Sequence, residues 1–559
     1  MKKFLLVCAL LAGLAAVSIA QEEPDYANLD PAPYDPAVEP NADMFMRSWK
    51  ESMPRHSHGS LIERDIFTKS DGDPINPKVK GAVLTALERF SHATLVVGAS
   101  TTPTTLNGEQ ELFYFDSGTG ALKTRNKTVE LHEGVGVLVP PGVEFTMTTT
   151  GDQPLSMYLL TEKIPDGFTP QTDIVVKDES GIPFTSSNVH WSHIYKNFFT
   201  RQDGLASITG AGPVWYSPMT MGQPHSHGEG VEEIWFALKG DIHALLGKQF
   251  RTLPVGTAYK IPPNGTTPHS NINATDEPIK MFWFMKSVPD REKHKYGNLD
   301  PKPYDPATEP NIDMFIRSWK ESMPRHTHGS LIERDVLTSS SGDPLHPTSR
   351  GGVLKYVNRF VYAELPARAS TIPTTPKGEQ EFYYVISGKG TVTGGGKTFD
   401  IFPGRVFLIP ENLEFTMSNT GNESLLFYLV VEPTRAGFVP RTSIYVNDET
   451  TAQTFISDSH WVNAWEHLIK PEDGLSSMQL VLSVWLYPNT FAQPHSHDGT
   501  TEEIWVTLEG DVKFELGKQI RDLPPGTAYM IPPDNKTPHA NFNITDKPIK
   551  LFYFAHFRD

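Results

Sequence analysis

The run PHSHGEGVEEIWFALKG at residues 224–240, with its counterpart PHSHDGTTEEIWVTLEG at residues 494–510, decides how this chain is read. In an extended strand, side chains at i and i+2 face the same way, so His225 and His227 are sent to one side together. A glycine-containing loop leads to Glu232 and Glu233, and a run with aromatic and branched residues stops at Gly240. After Gly256 and the turn Ile261-Pro262-Pro263 comes His269, with Asn273 four positions later. The copy repeats the order with His495, His497, Glu503, Gly510, Gly526, His539 and Asn543. Three neutral imidazoles and one carboxylate make an N/O donor set for a divalent transition metal. Two such sets at one offset are hard to attribute to chance.

The offset of 270 residues extends well beyond these runs. Residues 26–65 match 296–335 at 34 of 40 positions, and the register then holds to the C-terminus. The period is far too long for a solenoid, so each half is a complete unit. Within each half an arm rich in Pro, Asp and Asn precedes many short strands with Pro-Pro and Gly turns, which argues for jelly rolls. The arm carries one predicted helix, which starts near the N-cap Asn41 and stops before Pro54. Of 20 histidines, 12 form six pairs at the offset, including His56, His58 and His190 with His326, His328 and His460.

Residues 1–20 read as a bacterial-type secretory signal: Lys2 and Lys3, an apolar stretch, then Ser18-Ile19-Ala20. The expected location is therefore periplasmic or extracellular, with no membrane attachment after cleavage. The single cysteine, Cys8, lies inside that leader, so the mature chain has no disulfide, thiolate ligand or cysteine nucleophile. The net charge of -17 is spread without a basic stripe, which argues against nucleic acid as a partner.

These segments resemble the two motifs of the cupin superfamily, in a tandemly duplicated bicupin. The expected fold is all-β: four jelly-roll barrels in two halves, each half with a partly helical N-terminal arm. The expected boundaries are arm 21–80, barrel one 81–165, barrel two 166–287, linker and arm 288–350, barrel three 351–435 and barrel four 436–559. The resemblance implies metal ligation by His225, His227, Glu233 and His269 in barrel two, and by His495, His497, Glu503 and His539 in barrel four. The spacer after His227 is one residue longer than the motif, which leaves Glu232 and Glu502 as alternative ligands. The six-residue step to Gly240 favours Glu233. Barrels one and three keep a motif glutamate, Glu111 in the first, but place Pro103, Thr105 and Phe145 where the histidines would stand, with Pro410 and Phe415 marking the same loss in barrel three. They are expected to be structural, or dry pockets for an organic ligand.

The expected cofactor is one Mn, Fe, Ni, Cu or Zn ion per metal-binding barrel. One carboxylate against a divalent ion leaves the centre near +1, which favours a small anionic or chelating substrate. Trp235 and Trp505 share strand parity with Glu233 and Glu503 and should line the pocket, with core packing the alternative; His190 and His460 are further substrate-binding candidates. Arg55, His58 and Glu63, copied as Arg325, His328 and Glu333, repeat a His-x-His-x4-Glu spacing without a third histidine nearby. They either lock the arm by charge-assisted bonds, or lie across a barrel mouth as acid, base or anion clamp. The two halves are expected to pair as a pseudo-dimer. The function implied is a metal-dependent enzyme of oxygenase or decarboxylase type; the alternatives are an isomerase or lyase on a sugar acid, or a non-catalytic binding or storage bicupin. Similarity to oxalate-decarboxylating bicupins is partial, because those bind metal in both barrels of a pair.

Overall fold

The strand Glu109–Ser117 shows how the chain builds its layers. Its side chains are buried on both faces. Phe113 and Phe115 point into the core of barrel one, while Leu112 and Tyr114 belong to the cluster shared with barrel two. A strand covered on both sides reads as a continuous apolar run, as this one does. Glu232–Lys239 of barrel two does the same, and Tyr158 of barrel one meets its Phe236 with ring centroids 4.2 Å apart. Half two repeats the junction, with Phe360 against Phe554 at 5.0 Å.

In this computed structural model, residues 29–186, 190–288, 299–452, 454–456 and 460–557 are described; the leader at 1–20 lies outside them. The architecture is four barrels, each a large sheet of seven or eight strands facing a smaller one of three or four. Among the described residues no helix is long and apolar enough to cross a membrane. The large sheets of barrels one and two pack on each other, as do those of three and four. The small sheets of barrels two and four meet through Leu245, Phe250, Phe491 and Phe542. Phe250 lies 5.6 Å from Phe491 and 5.9 Å from Phe542, ring centre to ring centre. The stacking order is thus one, two, four, three.

The arm differs from its sequence expectation. Asn41 does cap, its side chain accepting from the Asp43 amide at 3.0 Å, but only the 3₁₀ turn Ala42–Phe45 follows. Met46–Ser48 is then extended and pairs with Thr257–Lys260 of barrel two, and a second 3₁₀ turn, Trp49–Glu51, is closed by a capping box from Ser48. The free edge of the barrel-two sheet offers backbone partners that outcompete a helix. Arg55–Ser57 and Leu61–Lys69 are strands of the barrel-one sheet, and Val175–Asp178 also pairs into it, through Val135–Val139. The boundaries at 80 and 165 therefore cut through sheets: barrel two lends a strand to barrel one, and the arm lends one to barrel two.

Two carboxylates fasten each pair of barrels. Glu162 of barrel one accepts from the backbone amides of Ala206 (3.2 Å), Ser207 (2.7 Å) and Ile208 (2.9 Å). Glu232 of barrel two accepts in return from the amides of Thr85 (2.5 Å) and Ala86 (3.1 Å). In half two Glu432 and Glu502 do the same, with Glu502 held to the amides of Lys355 and Tyr356.

At the junction of barrels two and four, Glu515 stands where half one has Leu245. It is wholly buried between cross-strand neighbours Ile520 and Ala540, and neither carboxyl oxygen has a partner among the described residues. Burial alone pushes its pKa far above the carboxylate range, so it is held neutral. Glu515→Leu should raise the free energy of unfolding measured in urea by about 1–3 kcal/mol, the cost of an unsatisfied buried polar group, and with it the midpoint. A lower midpoint would show that the carboxyl is satisfied and stabilising.

Candidate metal centres

The parity of Glu232–Lys239 separates its first two residues. Glu232 faces barrel one, and Glu233 faces the interior of barrel two. There it meets His227 Nε2 at 2.5 Å and His269 Nε2 at 3.1 Å. His225 and His269 lie on adjacent extended segments and exchange backbone hydrogen bonds, His269 N to His225 O at 2.8 Å and the reverse at 3.2 Å. Together, His225, His227 and His269 bring one ring nitrogen each to within 4.8 Å of the others.

The donor chemistry fits a metal ion. His225 donates Nδ1–H to the Gln223 carbonyl at 2.7 Å, which leaves Nε2 as the lone-pair nitrogen. That Nε2 is buried and has no hydrogen-bond partner among the described residues. Two ligands at right angles on an ion with bonds of about 2.1 Å are about 3 Å apart. His269 Nε2 and Glu233 show that spacing, and so do Glu503 with His497 (2.9 Å) and His539 (3.1 Å). Burial works against charge on Glu233, but His227 and His269 outweigh it and hold the carboxyl well below the usual range. Burial and the neighbouring imidazoles keep His225 well below its own. The centre thus sets an anionic carboxylate near the neutral imidazole of His225.

Other predicted residues gather here too. The His190 ring lies 4.3 Å from His225, and His460 lies 4.4 Å from His495. Both have positive φ, as do Trp191 and Trp461 after them, so two consecutive non-glycine residues hold a costly backbone shape beside the triad. Trp505 donates to Glu503 at 2.6 Å, whereas the indole nitrogen of Trp235 is buried without a hydrogen-bond partner among the described residues. Sequence reasoning missed Trp283, whose indole donates to Glu233, and Tyr553 at the same place in half two, 3.1 Å from Glu503. His193 lies outside the six pairs at the offset, because Asn463 stands there in half two, yet it bonds Tyr216 at 3.1 Å and packs 4.6 Å from His190. The two centres share donors and differ in surroundings.

Glu232 and Glu502, the alternative ligands, lie on the far face of the strand in the barrel-to-barrel fasteners. Glu232→Gln should therefore lower thermal stability and leave metal content unchanged. Glu233→Gln should do the opposite, with metal affinity down by at least the ~10–100-fold typical of losing an outer-shell partner. Thermal unfolding and elemental analysis of both variants check the pair.

His58, Arg55, His328 and Arg325 are in barrels one and three, not beside the triads. His58 reaches into barrel one and meets Glu111 at 2.9 Å, with its ring packed on Phe113 and on Phe145, the residue at the lost histidine position. His328 meets Glu381 at 3.3 Å and Phe415 likewise. An imidazole from the arm thus meets the motif carboxylate of barrel one, as the histidines of barrel two meet Glu233. Arg55 pairs with Glu63 and Asp65 at the rim. Burial lowers the His58 pKa, but the hydrogen bond and charge of Glu111 outweigh it, and the net shift is upward from 6.5. A raised folded pKa stabilises fully below the unfolded value and loses that contribution as pH rises through the folded one. The stability advantage of the native chain over His58→Gln should therefore be full below about pH 6.5 and shrink as the pH rises above it. An advantage constant with pH would mean the pair is neutral.

No curated protein matches the chain. Solved structures resemble parts of it at low identity. A putative glyoxylate-induced protein from Pseudomonas aeruginosa is 13% identical with a TM-score of 0.36, over 48% of this chain and 98% of that one. Protein Ylba from E. coli is 14% identical with a TM-score of 0.34, over 46% and 100%. A mutant of Bacillus subtilis oxalate decarboxylase is 15% identical with a TM-score of 0.34, over 45% and 78%. The profile of the family described as "Cupin domain" matches four times, at residues 91–161, 214–285, 361–431 and 484–555, one match within each barrel and together about half of the chain. With four cupin domains in tandem and histidine triads in the second and fourth, the chain belongs to the cupin family.

Proposed function

We propose that this protein is a secreted metalloenzyme with one divalent transition metal in barrel two and one in barrel four, acting on a small oxygenated organic anion. The observation that carries this reading is the buried, unpartnered Nε2 of His225 and of His495, each aimed at a convergent set of two further imidazoles and a carboxylate. A lone pair buried without a partner costs free energy unless something binds it. Secretion rests on the leader residues 1–20.

His225, His227, Glu233 and His269 would hold the ion, as would His495, His497, Glu503 and His539. When bound, it supplies Lewis acidity to a coordinated oxygen. Around it the chain sets the substrate's surroundings. His190 and His460, kept largely neutral by burial, offer uncharged imidazoles beside the triads. Trp235 offers a free indole N–H in barrel two. Trp283 and Tyr553 fix their carboxylates by hydrogen bonds, so neither Glu233 nor Glu503 swings away. One negative protein ligand leaves the centre positive, which selects an anion. Oxygenase or decarboxylase chemistry is placed first, because a chelating carboxylate suits such a centre; isomerase or lyase chemistry on a sugar acid is second.

The test is metal loading followed by ligand titration. Purified protein supplied with manganese, iron or zinc should retain about two ions per chain. Small di- and hydroxycarboxylates should perturb the spectrum of bound Mn²⁺ saturably, and neutral isosteres should not. A protein that holds no metal after loading defeats the proposal.

A further inference from the structure

Each His-x-His segment is held by the opposite half of the chain. In barrel two, the Gln223 side-chain amide donates to the Leu299 carbonyl, the Leu299 amide donates to the Pro224 carbonyl at 3.4 Å, and the Trp191 indole donates to the Asp300 carbonyl at 2.6 Å. In barrel four the partners are Gln493 to Leu29 (2.5 Å), Leu29 to Pro494 (3.1 Å) and Trp461 to Asp30 (2.8 Å). The same hydrogen bonds thus run in both directions between the halves. Leu299 is wholly buried and Leu29 nearly so, both in the apolar cluster between barrels two and four. Each strap is also moored to its own half, Asp30 by Lys248 at 2.8 Å and Asp300 by Lys518 at 2.9 Å.

What the straps hold is significant. The backbone carbonyl of Gln223 accepts the Nδ1–H of His225, and that of Gln493 accepts the Nδ1–H of His495 at 2.9 Å. This hydrogen bond fixes the tautomer and plane of the first histidine in each triad. Trp191 and Trp461 directly follow His190 and His460, the imidazoles packed at a tilt against those histidines, and hold them in their positive-φ turn. One strap therefore governs both sides of a triad that belongs to the other half.

We infer that the two metal centres are positioned reciprocally. The segment Leu29-Asp30 sets the centre of barrel four, and Leu299-Asp300 sets that of barrel two. Gln223, Trp191, Gln493 and Trp461 are positioning residues that touch no metal themselves. The inference rests on the metal reading above, and it adds that each half tunes its neighbour's affinity rather than its own.

The experiment is a Mn²⁺ titration followed by electron paramagnetic resonance, on the full chain and on its Leu29→Ala variant. Leu29→Ala loosens the strap of half one and leaves the sequence of barrel four unchanged. It should weaken one of the two sites by about tenfold or more, the range for outer-shell loss, and shift that site's zero-field splitting. Combination with His227→Ala, which disables barrel two, assigns the weakened site to barrel four. Leu299→Ala should give the mirror result with barrel two. If Leu29→Ala fails to fold, Trp461→Phe tests the same strap by removing one donor while keeping an aromatic ring. Two ions bound with native affinity and native spectra in these variants would overturn the inference, and so would equal weakening of both sites. A native chain that takes up no manganese would instead refute the metal reading, a separate outcome.

Discussion

Alanine at both His227 and His497 should leave the protein folded and without bound divalent metal. Each of these imidazoles reaches the interior from a loop-proximal segment, and its charged partner is the motif carboxylate, Glu233 or Glu503. Each carboxylate keeps other partners in the variant: Glu233 retains His269 at 3.1 Å and the Trp283 indole, and Glu503 retains Trp505, His539 and Tyr553. No buried charge is stranded, so the fold survives. The donor set, however, falls from three imidazoles to two. Losing a ligand outright costs more than the ~10–100-fold drop seen when a ligand's hydrogen-bond partner is lost. The single variants should each retain one ion per chain, which would show that the centres fill separately. Elemental analysis after dialysis, with circular dichroism for the fold, gives the answer. Two ions retained in the double variant would mean that the donors lie elsewhere.

The largest loss of stability should come from Glu162→Ala, matched in half two by Glu432→Ala. Both carboxylates are fully buried, and each accepts three consecutive backbone amides from the neighbouring barrel as well as a glutamine side chain, Gln110 or Gln380. Alanine would leave the three backbone amides without these acceptors, while each glutamine keeps its bond to the Gly204 or Gly474 carbonyl. Each unsatisfied donor costs about 1–3 kcal/mol, so the total should exceed about 3 kcal/mol even if the 206–208 loop relaxes. Glutamine, which keeps one acceptor oxygen, should recover part of the loss. Denaturant unfolding of the three forms measures the effect. An alanine variant as stable as the native chain would mean the barrels are joined by their aromatic faces alone.

The architecture was legible because it was written twice. The 270-residue offset fixed the halves, and period-two spacing in His225-Ser226-His227 fixed which side chains converge. The six-residue step to Gly240 favoured Glu233 over Glu232, and the strand's parity puts the two on opposite faces. The arm was not legible, because the competition that decided it was tertiary: Met46–Ser48 finds backbone partners in Thr257–Lys260, more than two hundred residues away. The predicted cap was real, yet the helix was not. Trp283 and Tyr553 escaped notice for a related reason. They lie on Ile279–Lys286 and Ile549–His556, beyond the motif, and differ in residue type while delivering the same hydrogen bond to the same carboxylate. A search for identical pairs at the offset passes over such equivalents. His58 was picked out, but its destination depended on how the arm strands Arg55–Ser57 and Leu61–Lys69 join the sheet of barrel one.

The imidazole that His58 brings to Glu111 arrives with the polypeptide itself, and so does the one that His328 brings to Glu381. The outermost members of the stack are thus complete in themselves, while the two inner ones, on the proposed reading, would take an ion from the surroundings. A chain built in this way carries its own bookends.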